Sequence, residues 1–356
     1  MVSAIVMVVS GSCKRLRAWQ SAAWSVVEIE PNNPTKMVQI HRRHMRAIVA
    51  LRLYWTCMNS IIKLTVTAAL LSGCAIGQSH EPVLGETTTK VSEHVWAIMG
   101  FPNIAIVVGS RATLVVDTGL GPKNGATIAR VAAKLAPGNS KLFLTTTHFH
   151  PEHAGGEPGF PQGTILIRNA VQQQDMEQHG QEMLDMFSSR SAQIKDLLAG
   201  VKLRSPDVTF EQEATVDLGG VTARLLWFGP AHTKGDELTF VEPDRTLVSG
   251  DVVQNKVIPA IVGGGTPATW LAVLDKVAAL NAAHVLPDHS EPGDGSMVAA
   301  ERDLISELQT SALALKKQGV PVDDAGKRVS DELKAKHPDW VSTNAAGFVK
   351  SVYAEP

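Results

Sequence analysis

The sequence predicts a layered α/β protein, and two observations carry this prediction. Short apolar runs rich in β-branched residues form two groups along the chain, and helical patterns follow each group. Gly and Pro residues separate the runs, as is typical of strands closed by turns. With 356 residues, of which 44% are apolar and 19% charged, the chain can bury a substantial core. Its net charge of −2 provides no general attraction to nucleic acid or acidic membranes.

The first group of predicted strands lies between residues 81 and 117, where the runs VWAI, IAIVVG and ATLVVD occur. Residues 124–135 then place apolar side chains at helical spacing, and Pro137-Gly138 ends this helix. Two further strands are predicted at KLFLTTT (141–147) and TILI (164–167). This part of the chain therefore alternates strand and helix, as a layered protein does.

A polar, helix-prone insertion follows near residues 168–200. It carries Met176, Met183, Met186 and Phe187, and two interpretations are open. The helix either forms a flexible apolar lid over a site or packs one face on the core. Methionines at helical spacing most often fill a core, so the packed helix is the preferred interpretation.

The second group contains six predicted strands and three helices. The strand patterns cover residues 207–210, 214–218, 221–229, 237–243, 246–251 and 284–289. The helical patterns cover residues 268–280, 297–317 and 323–336. Both groups together predict a single α/β domain over residues 80–356.

The N-terminal segment differs from the rest of the chain. Residues 1–57 hold eight Lys and Arg against two acidic residues, so the remaining chain carries a net charge of −8. From Met58 the sequence reads MNSIIKLTVTAALLSGCAIGQ, with Lys63 before a short apolar stretch. This order resembles a bacterial secretory signal, and its LSGC ending resembles a lipobox that would make Cys74 the lipidated first residue. Simple cleavage near Ala75 is the alternative.

We therefore expect residues 58–75 to be a signal peptide and the protein to be exported, either periplasmic or anchored to the membrane as a lipoprotein. Residues 1–57 precede a self-sufficient signal and are expected to be a non-native upstream extension or a disordered tail. All three cysteines lie at or before residue 74. Any metal in the predicted domain must therefore be held by histidine and carboxylate side chains.

Three histidines lie within six residues at the end of a predicted strand, in the stretch TTTHFHPEHAGG. Zinc requires several imidazole or carboxylate groups that converge on it at about 2 Å. His148 and His150 are two residues apart and share one face if the backbone is extended. His153 can return to the same place from the following turn.

Three more candidate ligands each follow a separate apolar strand. His232 comes after VTARLLWFG, Asp251 ends TLVSGD, and His289 ends HVLPDH. Strand ends allow a rigid sheet to bring side chains from distant parts of the sequence to one point. This recurrence favours a shared metal site over unrelated surface residues.

Together, the motifs THFHPEHAGG, GPAHTKGDEL, SGD and PDH resemble those of the metallo-β-lactamase superfamily, over about residues 84–300. The resemblance implies a four-layer αβ/βα sandwich with two zinc ions in the cleft between its sheets. It implies that the first zinc is held by His148, His150 and His232. It implies that the second zinc is held by Glu152, His153 and His289.

The same resemblance gives two aspartates a role. Asp251 would bridge both metals, and Asp117 would steady a ligand histidine from behind. Glu152 departs from the superfamily, which usually has Asp at this position. The extra methylene moves the carboxylate by about 1 Å or more unless the loop adjusts, and Pro151 restricts that loop. We expect Glu152 and Asp251 to serve catalysis in a working site; a weakened second metal site is the alternative.

Two adjacent cations would lower the pKa of a water to near neutral, and the resulting hydroxide would attack an amide- or ester-type carbonyl. Because the predicted export favours β-lactams, a zinc-dependent, β-lactamase-like hydrolase of cyclic amide or ester bonds is the preferred interpretation. A lactonase, esterase or thioesterase of the same superfamily remains open, as does a non-catalytic metal-binding lipoprotein. We expect a small-molecule substrate and no nucleic acid partner.

Overall fold

Two β-sheets with helices on their outer faces form the framework of the protein. The computed structural model describes residues 82–139, 141–340 and 342–355. The predicted upstream extension, the signal peptide and Cys74 lie outside the described residues. Among the helices that are described, none combines the length and the apolar content needed to cross a membrane.

The first sheet contains seven strands in sequence order. They are β1 (Thr89–Lys90), β2 (Val95–Ile98), β3 (Ile104–Val108), β4 (Ala112–Val116), β5 (Lys141–Thr145), β6 (Ile165–Asn169) and β7 (Val208–Phe210). The strands β1 to β4 pair antiparallel, and β4 to β7 pair parallel. The helices between them are α1 (Gly121–Leu135), α2 (Pro151–Ala154), a 3-10 turn (Glu157–Gly159), α3 (Ala170–Arg190) and α4 (Ala192–Leu197).

The second sheet contains six strands in the order β13-β12-β11-β10-β9-β8. They are β8 (Glu213–Asp217), β9 (Thr222–Leu226), β10 (Leu238–Glu242), β11 (Thr246–Gly250), β12 (His284–Pro287) and β13 (Gly293–Asp294). All neighbours pair antiparallel except β11 and β12, which are parallel. The helices of this half are α5 (Pro267–Ala279), α6 (Ser296–Lys317), α7 (Val322–Lys336) and α8 (Ala346–Ala354).

Alternation of side chains along the strands produces four layers. In β3, Ile104 and Ile106 pack in the cluster that includes α1, whereas Ala105 and Val107 pack against the second sheet. In β12, Val285 packs with the helices α5 to α8, and Leu286 faces the first sheet. The order helix, sheet, sheet, helix confirms the predicted four-layer αβ/βα sandwich.

The insertion between β6 and β7 is helical over α3 and α4, and α3 packs one stripe on the core. Met176 and Phe187 are 3% and 1% exposed, and Met183 lies at the edge of the stripe. The expectation of core packing is wrong for Met186, which is 40% exposed. Phe187 takes the core-facing position of that turn, so its preceding neighbour is turned toward solvent.

Candidate metal centre

Most of the predicted site residues lie where parallel strands end at one edge of each sheet, and His232 lies in the loop between the antiparallel strands β9 and β10. Asp117 directly follows β4, and the stretch that begins at His148 follows the parallel neighbour β5. In the second sheet, Asp251 directly follows β11, and His289 comes two residues after the parallel neighbour β12. Parallel strands end on the same side of a sheet, so side chains distant in sequence meet here.

The local turn of the histidine motif is set by Pro151. The backbone of His150 is extended (φ −62°, ψ 150°), and Pro151 begins the single-turn helix α2, where its fixed φ is suited to the first position. This turn returns His153 toward the preceding residues, with its backbone N–H donating to the His150 carbonyl oxygen at 3.0 Å. Gly156 then passes the Thr118 carbonyl oxygen so closely that a Cβ would lie 2.0 Å from it.

Three histidines form the first half of the candidate centre. His148 Nε2 lies 2.9 Å from His150 Nδ1, and the His232 ring is 4.8 Å from that of His148 and 5.1 Å from that of His150, between centroids. One nitrogen from each residue lies within 4.8 Å of the others. All three side chains are buried.

The second half comprises Glu152, His153 and His289, whose ligand atoms also lie within 4.8 Å of one another. Glu152 Oε1 is 3.9 Å from His153 Nε2 despite its longer side chain. Asp251 reaches both halves, because its Oδ2 lies 3.4 Å from His232 Nε2 and its Oδ1 lies 3.4 Å from His289 Nε2. A side chain that bridges two metals requires this position.

Hydrogen bonds behind the histidines fix which nitrogen faces the centre. His232 Nδ1 lies 2.6 Å from the Ala260 carbonyl oxygen and donates to it, so Nε2 presents its lone pair. His153 Nδ1 lies 3.1 Å from Asp117 Oδ2 and 3.3 Å from Asp288 Oδ2. Asp117 holds this position with a left-handed backbone (φ 71°), which Asp tolerates better than most residues.

Two supporting residues were not predicted from the sequence. Asp288 is fully buried behind His153, and its signal was available, since it ends the same strand pattern as His289. Gln254 connects the residues that follow the neighbouring strands β11 and β12. Its Nε2 donates to Asp251 Oδ1 at 2.9 Å, and its Oε1 accepts the His289 backbone N–H at 3.3 Å. A single amide three residues after Asp251 carries no pattern that sequence reasoning could detect.

Burial and mutual proximity shift the pKa values of the cluster strongly. Burial, followed by the neighbouring histidines, lowers the pKa of His148 and of His150 well below the usual range, so both rings are neutral. Burial raises the pKa of Glu152 to about 7. Burial opposes ionisation of Asp251 too, but His289, His232 and the other histidines lower its pKa to about 2. Neutral imidazoles and an ionised bridging carboxylate are the protonation states in which these groups bind metal.

Burial also raises the pKa of Asp288 well above its usual range, with the neighbouring carboxylate of Asp117 adding to the effect. For His153 burial acts downward, but Asp117, Asp288 and Glu152 outweigh it and raise its pKa well above the usual range. The raised pKa favours the protonated ring, and the contacts of Asp117 and Asp288 with Nδ1 direct Nε2 toward Glu152.

The unpaired atoms of the cluster fit a metal pair. His232 Nε2, His153 Nε2 and Glu152 Oε2 are buried and have no hydrogen-bond partner among the described residues. Buried polar atoms are normally paired, and a cation would supply the missing partner for all three. Nitrogen and oxygen donors of this kind suit zinc and related divalent ions. Which of the side chains bind a metal stays a prediction.

Two aromatic rings and one cation border the centre. The Phe101 ring lies 4.7 Å from that of His289, and the Phe187 ring lies 6.2 Å from that of His150. The guanidinium carbon of Arg190 lies 3.5 Å from the centre of the Phe187 ring. Neither Phe101 nor Arg190 could be predicted from the sequence, because both lie outside the motifs, one in a loop and the other at the end of α3.

The model of the metallo-beta-lactamase superfamily matches residues 98–289, which contain every predicted ligand. The chain belongs to this superfamily. Over 265 residues it is 22% identical to the linear primary-alkylsulfatase of Pseudomonas sp. (strain ATCC 19151), covering 63% of this chain and 49% of that protein. Over 243 residues it is 26% identical to acyl-coenzyme A thioesterase MBLAC2 of Gallus gallus, covering 63% of this chain and 83% of that protein.

Among solved structures, the sec-alkylsulfatase Pisa1 from Pseudomonas sp. matches with a TM-score of 0.59 at 15% identity. The match covers 75% of this chain and 49% of that one, so this chain spans about half the length of both alkylsulfatases. At this identity the likeness shows the shared fold. The two curated relatives are named as hydrolases, one an alkylsulfatase and the other a thioesterase.

Proposed function

We propose that the protein is a dinuclear zinc hydrolase that cleaves an ester-type bond of a small molecule. The observation that carries this proposal is the convergence of six nitrogen or oxygen donors around Asp251, three on each side. His148, His150 and His232 would hold one zinc ion, and Glu152, His153 and His289 the other. When bound, such a pair supplies a hydroxide near neutral pH and polarises the scissile bond.

The chain's own side chains prepare the centre for that chemistry. Asp251 remains ionised between the two halves because the surrounding histidines stabilise its charge. Glu152 has one buried oxygen with no hydrogen-bond partner among the described residues, so this oxygen is available to the second half of the centre. Phe101 and Phe187 place apolar rings beside His289 and His150, which lowers the polarity around these two candidate ligands.

Ester-type substrates are favoured because both curated relatives are named for ester hydrolysis, one of an alkyl sulfate and one of an acyl thioester. A β-lactam is the second candidate. The predicted signal from Met58 to Cys74 favours it, because β-lactams act outside the cytoplasm. The sequence also has Asp251 where one β-lactamase branch has Cys, and this difference supports the ester over the β-lactam.

Turnover by the full-length protein tests the proposal. The protein is stripped with a chelator, reloaded with zinc, and assayed on a carboxylic ester, an acyl thioester, an alkyl sulfate and a chromogenic cephalosporin. We expect zinc-dependent turnover of at least one ester and a loss of at least about 100-fold in the variant His148→Ala. His284→Ala is the matched control, since His284 begins β12 and belongs to none of the described metal clusters.

The outcomes separate the candidates. Turnover of the cephalosporin alone would replace the ester with a β-lactam. Chelator-insensitive turnover, or none with any substrate, would contradict the proposed enzyme, and metal binding without turnover would favour the metal-binding protein.

We also propose export through the segment 58–75, with lipidation at Cys74. Membrane fractionation of bacteria that express the chain or its Cys74→Ser variant tests this, and equal release of both into the soluble fraction would contradict lipidation.

A further inference from the structure

Arg190 stands at the C-terminal end of α3, next to the candidate metal centre. Its guanidinium carbon lies 3.5 Å from the centre of the Phe187 ring, a cation–π contact that orients the flat group. Phe187 is 1% exposed and its ring is 6.2 Å from that of His150. A cation is therefore held on a rigid, buried ring at the edge of the site.

The guanidinium has capacity for a further partner. The other arginines near this region are paired with carboxylates: Arg168 with Glu157, and Arg204 with Asp207. No such ion pair of Arg190 occurs within the part of the chain that the structure describes, and its hydrogen-bonding contact there is the thioether of Met186 at 3.4 Å. A thioether is a weak acceptor and takes at most one N–H, so the other donors of this exposed guanidinium remain available to a ligand.

The positive charge of Arg190 affects the pKa values of two residues of the candidate metal centre. Among several influences on His150 and Glu152, burial being the largest, Arg190 acts to lower both pKa values. The geometry agrees with this, because the Arg190 guanidinium and the His150 ring are both neighbours of the Phe187 ring, at 3.5 Å and 6.2 Å from its centre. The apolar rings of Phe187 and Phe101 lie beside His150 and His289, so the surroundings of the centre on these sides are partly apolar.

We propose that Arg190 is a substrate-binding residue that pairs with an oxyanion group, a carboxylate or a sulfate, on an otherwise partly apolar substrate. This inference deepens the proposed hydrolase function and rests on it. A planar guanidinium matches the two oxygens of such a group and forms paired hydrogen bonds with them. The substrate thus lies with its anionic end at α3 and its scissile bond at Asp251.

Binding of a probe that cannot be hydrolysed gives the first test. Hexanesulfonate and its uncharged analogue hexyl methyl sulfone are titrated into zinc-loaded and metal-free full-length protein by calorimetry. We expect the variant Arg190→Gln to bind hexanesulfonate about tenfold more weakly than the wild type, with the sulfone unaffected. Lys195→Gln is the matched control, because it removes an exposed cation from the neighbouring helix α4.

Kinetics give the second test. Mono-4-nitrophenyl glutarate and 4-nitrophenyl pentanoate are esters of similar length that differ in one carboxylate. In R190Q the ratio of their kcat/KM values should fall about tenfold, chiefly through a higher KM for the glutarate, and Arg190→Lys should recover part of the loss. In K195Q the ratio should match the wild type.

The two tests separate this inference from the proposed function. If no ester is cleaved but R190Q loses hexanesulfonate affinity, the proposed function fails and the anion site stands. If esters are cleaved while hexanesulfonate affinity and the substrate ratio are unchanged in R190Q, the inference is overturned and the hydrolase stands. Equal binding of the sulfonate and the sulfone to the wild type would also overturn it.

Discussion

Glu152 is the residue on which the second half of the metal centre depends most. Its carboxylate is buried beside His153, and one of its oxygens has no hydrogen-bond partner among the described residues. A buried carboxylate in this state is unfavourable without a cation, which is why its pKa is raised to about 7. The longer side chain still places its oxygens at the cluster, because the one-turn helix α2 points it inward.

The substitution Glu152→Gln keeps the shape of the side chain and removes its charge. We expect the second equivalent of zinc to bind about 100-fold more weakly, measured by competition with a chromogenic chelator, while the first equivalent changes little. Glu291→Gln, which alters an exposed glutamate just beyond His289, is the matched control. Wild-type affinity for both equivalents in the Glu152→Gln protein would show that Glu152 is not a ligand.

Glu237 illustrates a buried carboxyl group that has no part in metal binding. Burial raises its pKa to about 8. The Thr145 hydroxyl contacts both Glu237 Oε1 and, at 2.9 Å, the Ile167 carbonyl oxygen. One hydroxyl proton cannot serve two acceptors, so a proton on the Glu237 carboxyl completes the network.

The substitution Glu237→Gln should therefore make stability less dependent on pH. An acid whose folded pKa is raised keeps its proton in the folded state while the unfolded chain loses it, so the wild type loses stability as pH rises from about 4.5 to about 8. We expect the unfolding free energy of the variant, relative to that of the wild type, to rise by more than about 1 kcal/mol between the two ends of this pH window. Urea unfolding with chelator present measures it. A difference in unfolding free energy that stays constant with pH would refute the neutral carboxyl.

At the scale of elements, Gln254 connects the ends of β11 and β12. It bonds the Asp251 carboxylate and the His289 backbone, and its own backbone N–H donates to Glu301 on α6 at 3.3 Å. The relative positions of a bridging carboxylate and a histidine from the other strand thus depend on one amide side chain. Such supporting residues orient the groups that bind a metal.

The substitution Gln254→Leu should lower zinc affinity by about 10- to 100-fold and lower kcat with it, because Asp251 loses its orientation. Asn255→Ala removes the neighbouring, more exposed amide and serves as the control. Zinc titration with circular dichroism distinguishes the effect from unfolding. Unchanged affinity in a folded Gln254→Leu protein would assign the residue a purely structural role.

Phe187 anchors the helix α3 in a hydrophobic cluster beside the centre. Its ring packs with Leu120, Leu184 and the two leucines at the end of α4. The substitution Phe187→Ala should lower the free energy of unfolding by about 3–5 kcal/mol, as large-to-small core changes do. Met186→Ala, one residue earlier and 40% exposed, should change it by less than about 1 kcal/mol. Equal effects in thermal unfolding would contradict the packing of α3.

At the scale of the whole molecule, the fold could be predicted from local patterns. The apolar run IAIVV and the helical spacing of residues 124–135 each predicted an element of a layered α/β protein, and the resemblance to the superfamily supplied the four-layer arrangement. The residues of the cluster could also be predicted, because His232, Asp251 and His289 each follow a strand; that they bind a metal stays a prediction. Their residue types and their positions after strands indicated a metal site before any interatomic distance was known.

The supporting groups could not be predicted, because their roles arise from tertiary packing. Gln254 contacts the side chain of Asp251, three residues earlier, and the backbone of His289 in a loop far along the sequence. The Arg190 guanidinium is oriented by its contact with the packed Phe187 ring, and the hydrophobic spacing of α3 does not indicate such a contact. Met186 was misjudged for the same reason, since helical spacing defines a stripe but not its edges.

The central claim is that one cluster of side chains binds two metal ions. Anomalous difference maps from crystals of the zinc-loaded protein, recorded on both sides of the zinc absorption edge, test it most directly. The account predicts two peaks in the cluster, one among His148, His150 and His232 and one beside Glu152, His153 and His289, with Asp251 between them. A single peak, or zinc bound elsewhere on the chain, would contradict it.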